Sequence, residues 1–509
     1  MAKQPLIDFD ASATWTNKHH NVSVTAGRLY TVTNRWADGT QPPTATRFVA
    51  GLRALQQIVR DAESANKRVR AFGGGWSLSS VATTEDYLIN TRLLSYINIG
   101  FKEANVSPRY RGNRHRLVFA QCGTSVMELN RELERRGLSL PTSGASNGQT
   151  IVGATATGTH GSNRKVGAMH DCLVGLHVIG EGGKAYWIER QRRPVVSEAF
   201  ARSLGAQLVC DERLFWSAAV AFGSFGLVHG VLLEAVPIFT LEKYVTRMDY
   251  AKVRPALSTL DVSTLGLARG AQVPEHFEVV INPYGTKRGA KGATVRYMYQ
   301  HARRPPPSST HGGVSSTFGD DVMGLMGGVT TAAPGLIPVI AGEVIKQIEE
   351  GGPWEASLGH TFGVTTTEGY VMSTEIGVRQ ADAERAVEAI LSVADSFRWP
   401  GLIALRYVKG SWAPLAFTRF SPVTCTIELP SAGSSRTLDA FERIWDELER
   451  RRIPYALHWG QQLRYDPPRV KRAFGVRATR WQKARQAFLT PRARHTFSNA
   501  LLDSTGLAT

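Results

Sequence analysis

The stretch Val69-Arg70-Ala71-Phe72-Gly73-Gly74-Gly75-Trp76-Ser77 runs a short strand straight into three consecutive glycines. A backbone without Cβ atoms can turn tightly and bring its amide donors against a phosphate. Gly73, Gly74 and Gly75 are therefore candidates for a pyrophosphate cradle. Their spacing is neither a P-loop nor the Rossmann fingerprint, and an ordinary turn after a strand would use the same residues. A second stretch weighs on the choice: Leu140-Pro141-Thr142-Ser143-Gly144-Ala145-Ser146-Asn147-Gly148-Gln149-Thr150-Ile151-Val152-Gly153-Ala154-Thr155-Ala156-Thr157-Gly158-Thr159-His160-Gly161. Few packed cores need so many small and hydroxyl residues. Such a run lets backbone approach a flat or phosphorylated ligand closely and offers many neutral donors; a glycine-rich surface loop is the alternative.

Around these loops, helical and strand patterns alternate in short units up to about Pro237. Phe48, Leu52, Leu55 and Val59 recur at helical spacing after Pro42-Pro43, with Thr46 placed as the N-cap. Val69–Phe72, Tyr87–Asn90 and Leu117–Ala120 read as strands, and Val126, Leu129 and Leu133 share one helix face ended by Gly137. Val174–Ile179 turns at Glu181-Gly182-Gly183-Lys184 into Ala185–Ile188, a hairpin pattern. Beyond Pro237 longer strands are expected at His276–Ile281 and Gly369–Gly377, with a helix over Ala381–Phe397. Arg303–Gly335 is rich in Pro, Gly, Ser and Thr and too long for an ordinary connection, so it reads as either a mobile or a substrate-covering loop. The pattern is α+β.

The 509 residues exceed one hydrophobic core, and 42% hydrophobic with 20% charged residues is an ordinary globular balance. Disordered and fibrous classes are excluded. The start, MAKQPLIDFDASATW, lacks a charged-then-apolar leader, and no run reaches the length of a membrane span; a soluble cytoplasmic protein without an integral membrane segment is expected. Cys122, Cys172, Cys210 and Cys425 are scattered, with no metal-ligand spacing and no disulfide framework, so no metal is expected. The net charge of +17 comes in short groups such as Arg303-Arg304 and Arg450-Arg451-Arg452 with no nucleic-acid motif. It reads as a solvated basic surface that favours anionic substrates, with no nucleic-acid partner. Nothing here sets the oligomeric state.

The two loops, with Phe222-Gly223-Ser224-Phe225-Gly226-Leu227-Val228 and His458-Trp459-Gly460 after them, resemble in content and order the FAD-dependent oxidoreductases of the vanillyl-alcohol oxidase (PCMH) type. Aldonolactone and alditol oxidases fit best. The resemblance implies a two-subdomain FAD-binding domain over 1–240, a substrate or cap domain with a helix-flanked antiparallel sheet over 241–455, and a segment 456–509 returning to the FAD domain. It implies that Phe72, Gly73, Gly74, Gly75, Trp76, Ser77 and the Gly158-Thr159-His160-Gly161 turn hold the FAD phosphates. Ser143, Gly144, Ala145 and the run on to Ile151 would lie beside the isoalloxazine, Gly226 and Val228 on the adenine side, and Gly153 would also touch the cofactor. The implied activity takes hydride from an alcohol to flavin N5, with dioxygen reduced to hydrogen peroxide. A dehydrogenase using another acceptor, a natural-product tailoring enzyme and a flavin protein without turnover are the alternatives.

The chain departs from that pattern in two places. Many relatives carry a histidine, bonded to the flavin 8α-methyl, where this chain has Trp76, so noncovalent FAD is expected; Cys122 lies outside the familiar attachment positions. Sugar oxidases of the group usually show Glu-x-Arg on a cap strand and Lys after His-Trp-Gly, but here stand Ala404-Leu405-Arg406 and Gln461. A small-molecule substrate less hydroxylated or more apolar than an alditol is the expectation. Arg406 would stabilise an alkoxide or anionic reduced flavin, and His458 leads as general base. Tyr407 and Glu375 are weaker candidates, and Gln461 lines the same site. Gly144, lacking a side chain beside the flavin C4a, would leave room for dioxygen.

Overall fold

In a computed structural model of the chain, residues 3–305, 334–363 and 371–509 are described. Most of the Arg303–Gly335 loop, and Gly369, lie outside them. Among the described residues the principal strands form sheets of four, six and eight.

In the four-stranded sheet Pro5–Thr16, Ser23–Trp36, Tyr87–Asn90 and Val69–Phe72 lie side by side in that order. The first two form a long antiparallel hairpin and the last pair is parallel. The six-stranded sheet runs Ala206–Cys210, Ala185–Glu189, Leu173–Ile179, Leu227–Glu234, Leu117–Gln121 and Ile97–Ile99. Between the two sheets packs the Phe48–Ser64 helix, whose Leu52, Leu55, Ile58 and Val59 are buried at helical spacing. Its N-cap is Arg47 and makes no side-chain bond, because Thr46 closes a preceding 3₁₀ turn with its hydroxyl on Pro43 O. The expected Thr46 cap is thus displaced by one residue. The next helix, Val126–Glu134, begins with a full capping box between Ser125 and Glu128, a device worth about 1 kcal/mol. Gly137 follows at φ +68°, the left-handed geometry its identity suggested.

The eight-stranded sheet is ordered Gly351–Ala356, Thr240–Met248, Ala293–His301, His276–Ile281, Ile403–Lys409, Val423–Glu428, Glu375–Arg379 and Tyr455–Leu457. Every pairing is antiparallel. Helices Tyr250–Thr259, Ala383–Ser396 and Ser435–Arg450 supply apolar faces to the core that contains it. The strand expected through Gly377 is divided, with Val371–Met372 pairing elsewhere and Glu375–Arg379 joining the large sheet. The C-terminal helices fold back onto the glycine-loop half. Trp481 donates to Ser217 O and Asn499 to the carbonyls of Ser80, Val81 and Thr83. No helix among the described residues is long and apolar enough to cross a membrane.

Candidate active site

One cleft is lined by both glycine-rich stretches, by the Phe222 turn and by three adjacent strands of the eight-stranded sheet. At its floor the glycines are dictated by close approach. A Cβ on Gly73 would stand 2.2 Å from Thr150 Oγ1, and one on Gly148 would stand 2.5 Å from the Trp76 ring. Thr150 itself caps the Ile151–Thr157 helix, which ends at Gly158 with φ +98°. Trp76 thus fills the space over Gly148, with Lys18 Nζ 4.0 Å from its ring centroid and His19 edge-on at 5.7 Å.

Arg70, just before the glycines, is the charged group of this wall. It is 2% exposed, and its Nη2 donates to Val81 O and Phe222 O. Its Nη1 is buried with no hydrogen-bond partner. Burial, then the neighbouring Arg485, pull its pKa down to about 9, and no carboxylate opposes them. A cation left this way is costly without an anion to face. Gln149 Oε1 and Gln461 Oε1, also on the cleft, are likewise buried and unpartnered.

At the other end, strand edges gather titratable side chains. Glu375 and Glu428 are directly opposite on paired strands, and Arg406 reaches both, 2.7 Å to Glu428 Oε2 and 3.7 Å to Glu375 Oε1. Gln461 and Ser373 donate to Glu428 Oε1 at 3.2 and 3.3 Å. His160 lies with Nδ1 2.7 Å from Gly161 O and Nε2 2.7 Å from Glu375 Oε1. Both ring nitrogens thus face oxygen atoms at hydrogen-bond distance, which fixes the orientation of the imidazole. Burial pushes the Glu375 carboxyl up, but His160, then His458 and Arg406, outweigh it and hold it well below the usual range. Burial likewise opposes the charge on Arg406, and Glu428, Glu278 and Glu375 more than restore it.

His458 accepts the Gly460 N–H on Nδ1 at 3.0 Å, so its neutral ring carries the proton on Nε2. Burial lowers its pKa to about 4, with Glu375 opposing. A ring arranged this way donates to a ligand and is a poor proton acceptor, which counts against the general-base role expected for it. Tyr407 is also corrected. Successive strand residues point to opposite faces, so it turns away from Arg406, is fully buried, and donates to Leu257 O at 2.6 Å.

Of the expected cofactor residues, Phe72, Gly73, Gly74, Gly75, Trp76, Ser77, Ala145, Gly153, Thr159, His160 and Val228 line the cleft, as do Arg406, His458 and Gln461. Ser143, Gly144, Ile151, Gly158, Gly161 and Gly226 are not among the residues that line it. Gly226 is required by packing, since a Cβ there would meet Ile179 O at 2.4 Å with φ at +132°. Gly144 is required by Thr159 Cγ2 at 2.6 Å, so its missing side chain leaves no open channel. Cys122 lines the cleft with its thiol pushed up to about 12 by burial. Arg70 and Glu428 were missed, whereas Gln149 lies within the Ser143–Ile151 run. The unexpected arginine in an apolar strand was the available signal for the first, whereas Glu428 becomes visible only through strand pairing.

Residues 43–189 match the family described as the FAD binding domain. The chain carries an FAD-binding domain. Among curated relatives it is similar to the L-gulono-1,4-lactone dehydrogenase of Mycobacterium tuberculosis, 28% identical over 50% of this chain and 48% of that one. It is also similar to the D-arabinono-1,4-lactone oxidase of Eremothecium gossypii, 30% identical over 36% of this chain and 30% of that one. The matched stretch thus spans about half or less of these relatives. In fold the chain is like the cholesterol oxidase of Brevibacterium sterolicum, in a histidine-to-alanine mutant, with TM-score 0.68, 12% identity, and coverage of 98% and 97%. It is also like the xylooligosaccharide oxidase of Myceliophthora thermophila C1, with TM-score 0.62, 13% identity, and coverage of 95% and 93%. The expected α+β architecture of PCMH type is therefore the fold observed.

Proposed function

We propose that this protein is an FAD-dependent oxidoreductase that takes hydride from the CH–OH carbon of a small alcohol. The observation that carries the reading is the convergence in one cleft of the glycine cradle and Arg70 at one end with the Arg406–Glu375–His160–His458 cluster at the other. Residues 1–240 hold the cofactor on this reading, 241–455 supply the substrate side, and 456–509 close back with His458 and Gln461. The relatives named for aldonolactone oxidation and the fold shared with FAD oxidases support the same class.

FAD bound along the cleft would supply the hydride acceptor. The bare backbone of Gly73 and Gly74 lets its phosphates come close, and Arg70 offers them a desolvated positive charge. Trp76, over Gly148, occupies the place of the histidine that relatives use for attachment, which supports noncovalent FAD. Arg406 and the Nε2–H of His458 would be donors to the substrate oxygen, stabilising negative charge that develops there as the hydroxyl proton passes to the cleft-lining carboxylate of Glu428 or to solvent. His160 and Glu375 fix Arg406 from behind, and Glu428 with Gln461 presents polar contacts to substrate hydroxyls. With Glu428 in place of the missing Glu-x-Arg carboxylate, a hydroxylated substrate fits the site better than the apolar one expected from Ala404 alone.

Dioxygen as the electron acceptor, giving hydrogen peroxide, is the proposed course. Closure of the gap at Gly144 by Thr159 removes one argument for it and favours, as second reading, a dehydrogenase with another acceptor. The FAD-loaded protein, incubated aerobically with a panel of aldonolactones and alditols, is expected to bleach and then recover its flavin absorbance as peroxide accumulates. Bleaching without recovery in air selects the dehydrogenase, and no bleaching with any alcohol refutes the activity. Acid precipitation is expected to leave the flavin in the supernatant; yellow pellets would show a covalent link.

A further inference from the structure

On the face formed by the C-terminal helices and the loop after the Ile403–Lys409 strand, apolar side chains project into water among cations. Trp412 is 76% exposed and Val476 69%, the two most exposed large hydrophobic side chains among the described residues. They are neighbours, because Arg477 Nη1 donates to Ser411 O and ties the Trp412 tip to the start of the Val476–Phe488 helix. Val476, Arg480, Lys483 and Ala487 recur at helical spacing and are all exposed, so they form one outward stripe. Lys471 and Lys409 are exposed nearby in sequence. From Pro467 to Leu502 the chain has nine Lys or Arg and no Asp or Glu. Arg469 and Arg472 are neutralised by Asp466 and Glu449, and Arg485 is buried. Arg480 and Lys483 have no carboxylate within ion-pair reach among the described residues.

We propose that this face docks the protein peripherally on an anionic lipid bilayer. Indole is the side chain best suited to the headgroup boundary, apolar in body with one polar edge. A valine beside it has a use in acyl chains and none on a phosphodiester backbone, which favours lipid over nucleic acid. The cations around both supply the attraction to anionic headgroups that holds a shallow apolar insertion in place. The same loop turns inward at Phe417, whose ring lies 5.3 Å from that of His160 and 4.9 Å from that of His458. Docking would therefore set the cleft close to the surface of the bilayer. The proposal does not depend on which alcohol the protein oxidises.

The test is co-sedimentation of the full-length, FAD-loaded protein with vesicles of phosphatidylcholine alone or with about 30% phosphatidylserine. Binding is expected only with phosphatidylserine, falling as salt is raised because the headgroup attraction is screened. Arg480→Glu with Lys483→Glu should reduce it at least tenfold and Trp412→Ser by several-fold, with FAD content unchanged in both. Brominated acyl chains should quench part of the tryptophan emission of the wild type, and that part should vanish in Trp412→Phe. Equal binding to both vesicles, no effect of the charge reversal, quenching that survives Trp412→Phe, or tighter binding to duplex DNA than to the vesicles would each overturn the proposal.

Discussion

Arg406 Nη1 donates to Glu428 Oε2 at 2.7 Å, and Glu428 stands directly across the strand pairing from Ala404. Ala404 stands two residues before the arginine, at the glutamate position of the Glu-x-Arg pattern. A carboxylate therefore meets Arg406 from the neighbouring strand. Two exchanged residues on facing strands deliver the same ion pair because residues opposite each other in a sheet project from the same face.

Glu428 is therefore expected to matter as much as the missing residue would. Removing one member of a buried ion pair typically costs several kcal/mol, and Glu428→Ala should lower kcat/KM roughly 100-fold. Moving the carboxylate back, as Ala404→Glu with Glu428→Ala, should recover part of the loss. Steady-state kinetics on the best substrate decides this, and a double variant no better than the single one would mean that the cross-strand equivalence is wrong.

The sequence carried the glycine cradle because close approach forbids side chains, and that prohibition is written in residue identity at Gly73 and Gly148. It carried the helices and most strands through periodicity. It was silent on the Pro5–Thr16 and Ser23–Trp36 hairpin, whose mixed polar and apolar residues give weak alternation at an exposed sheet edge. The errors at the site have one source. Whether Tyr407 faces the cleft, and whether Glu428 meets Arg406, depends on strand facing and partner choice, which span long chain separations. Likewise Gly144 and Gly226 read as ligand positions, yet their Cβ positions are occupied by Thr159 and by Ile179.

Arg70 yields a prediction about the cofactor rather than turnover. Arg70→Met removes a buried cation that lies beside another guanidinium but also frees the Val81 and Phe222 carbonyls, so the two effects offset and the stability of the apoprotein should change little. FAD affinity should fall about 100-fold, in line with loss of a desolvated charge-assisted contact, while riboflavin, which lacks phosphates, binds the two proteins alike. Flavin fluorescence titration and the FAD-induced rise in Tm measure both. Equal losses for FAD and riboflavin would place Arg70 in the wall only as packing.

His458 as a donor differs from His458 as a base in its pH profile. With its pKa lowered to about 4 by burial, kcat/KM should show no acid limb from this residue near 6.5, the ordinary histidine value. His458→Gln, which keeps a donor, should retain more activity than His458→Ala. A limb near 6.5 that disappears in His458→Gln would restore the general-base assignment.

Burial also makes the fold sensitive to acid through histidines distant from the chemistry. His177 and His276 are fully buried with pKa values lowered to about 4, and His229, whose Nδ1 is 3.0 Å from His177 Nδ1, is pushed well below its usual value. Each is neutral in the folded state and takes a proton on unfolding at acidic pH. The stability they allow is fully present above the unfolded value of about 6.5. It is lost as pH falls toward 4, by up to about 3 kcal/mol per group. The depressed carboxyl of Glu375 acts in a lower window, from about 4.5 downward. Urea unfolding between pH 7 and 4.5 should therefore show a steep decline, and His177→Met should flatten it by roughly one proton, with His229 keeping its Nε2 contact to Gln121. An unchanged slope in that variant would show that His177 is already protonated in the folded protein.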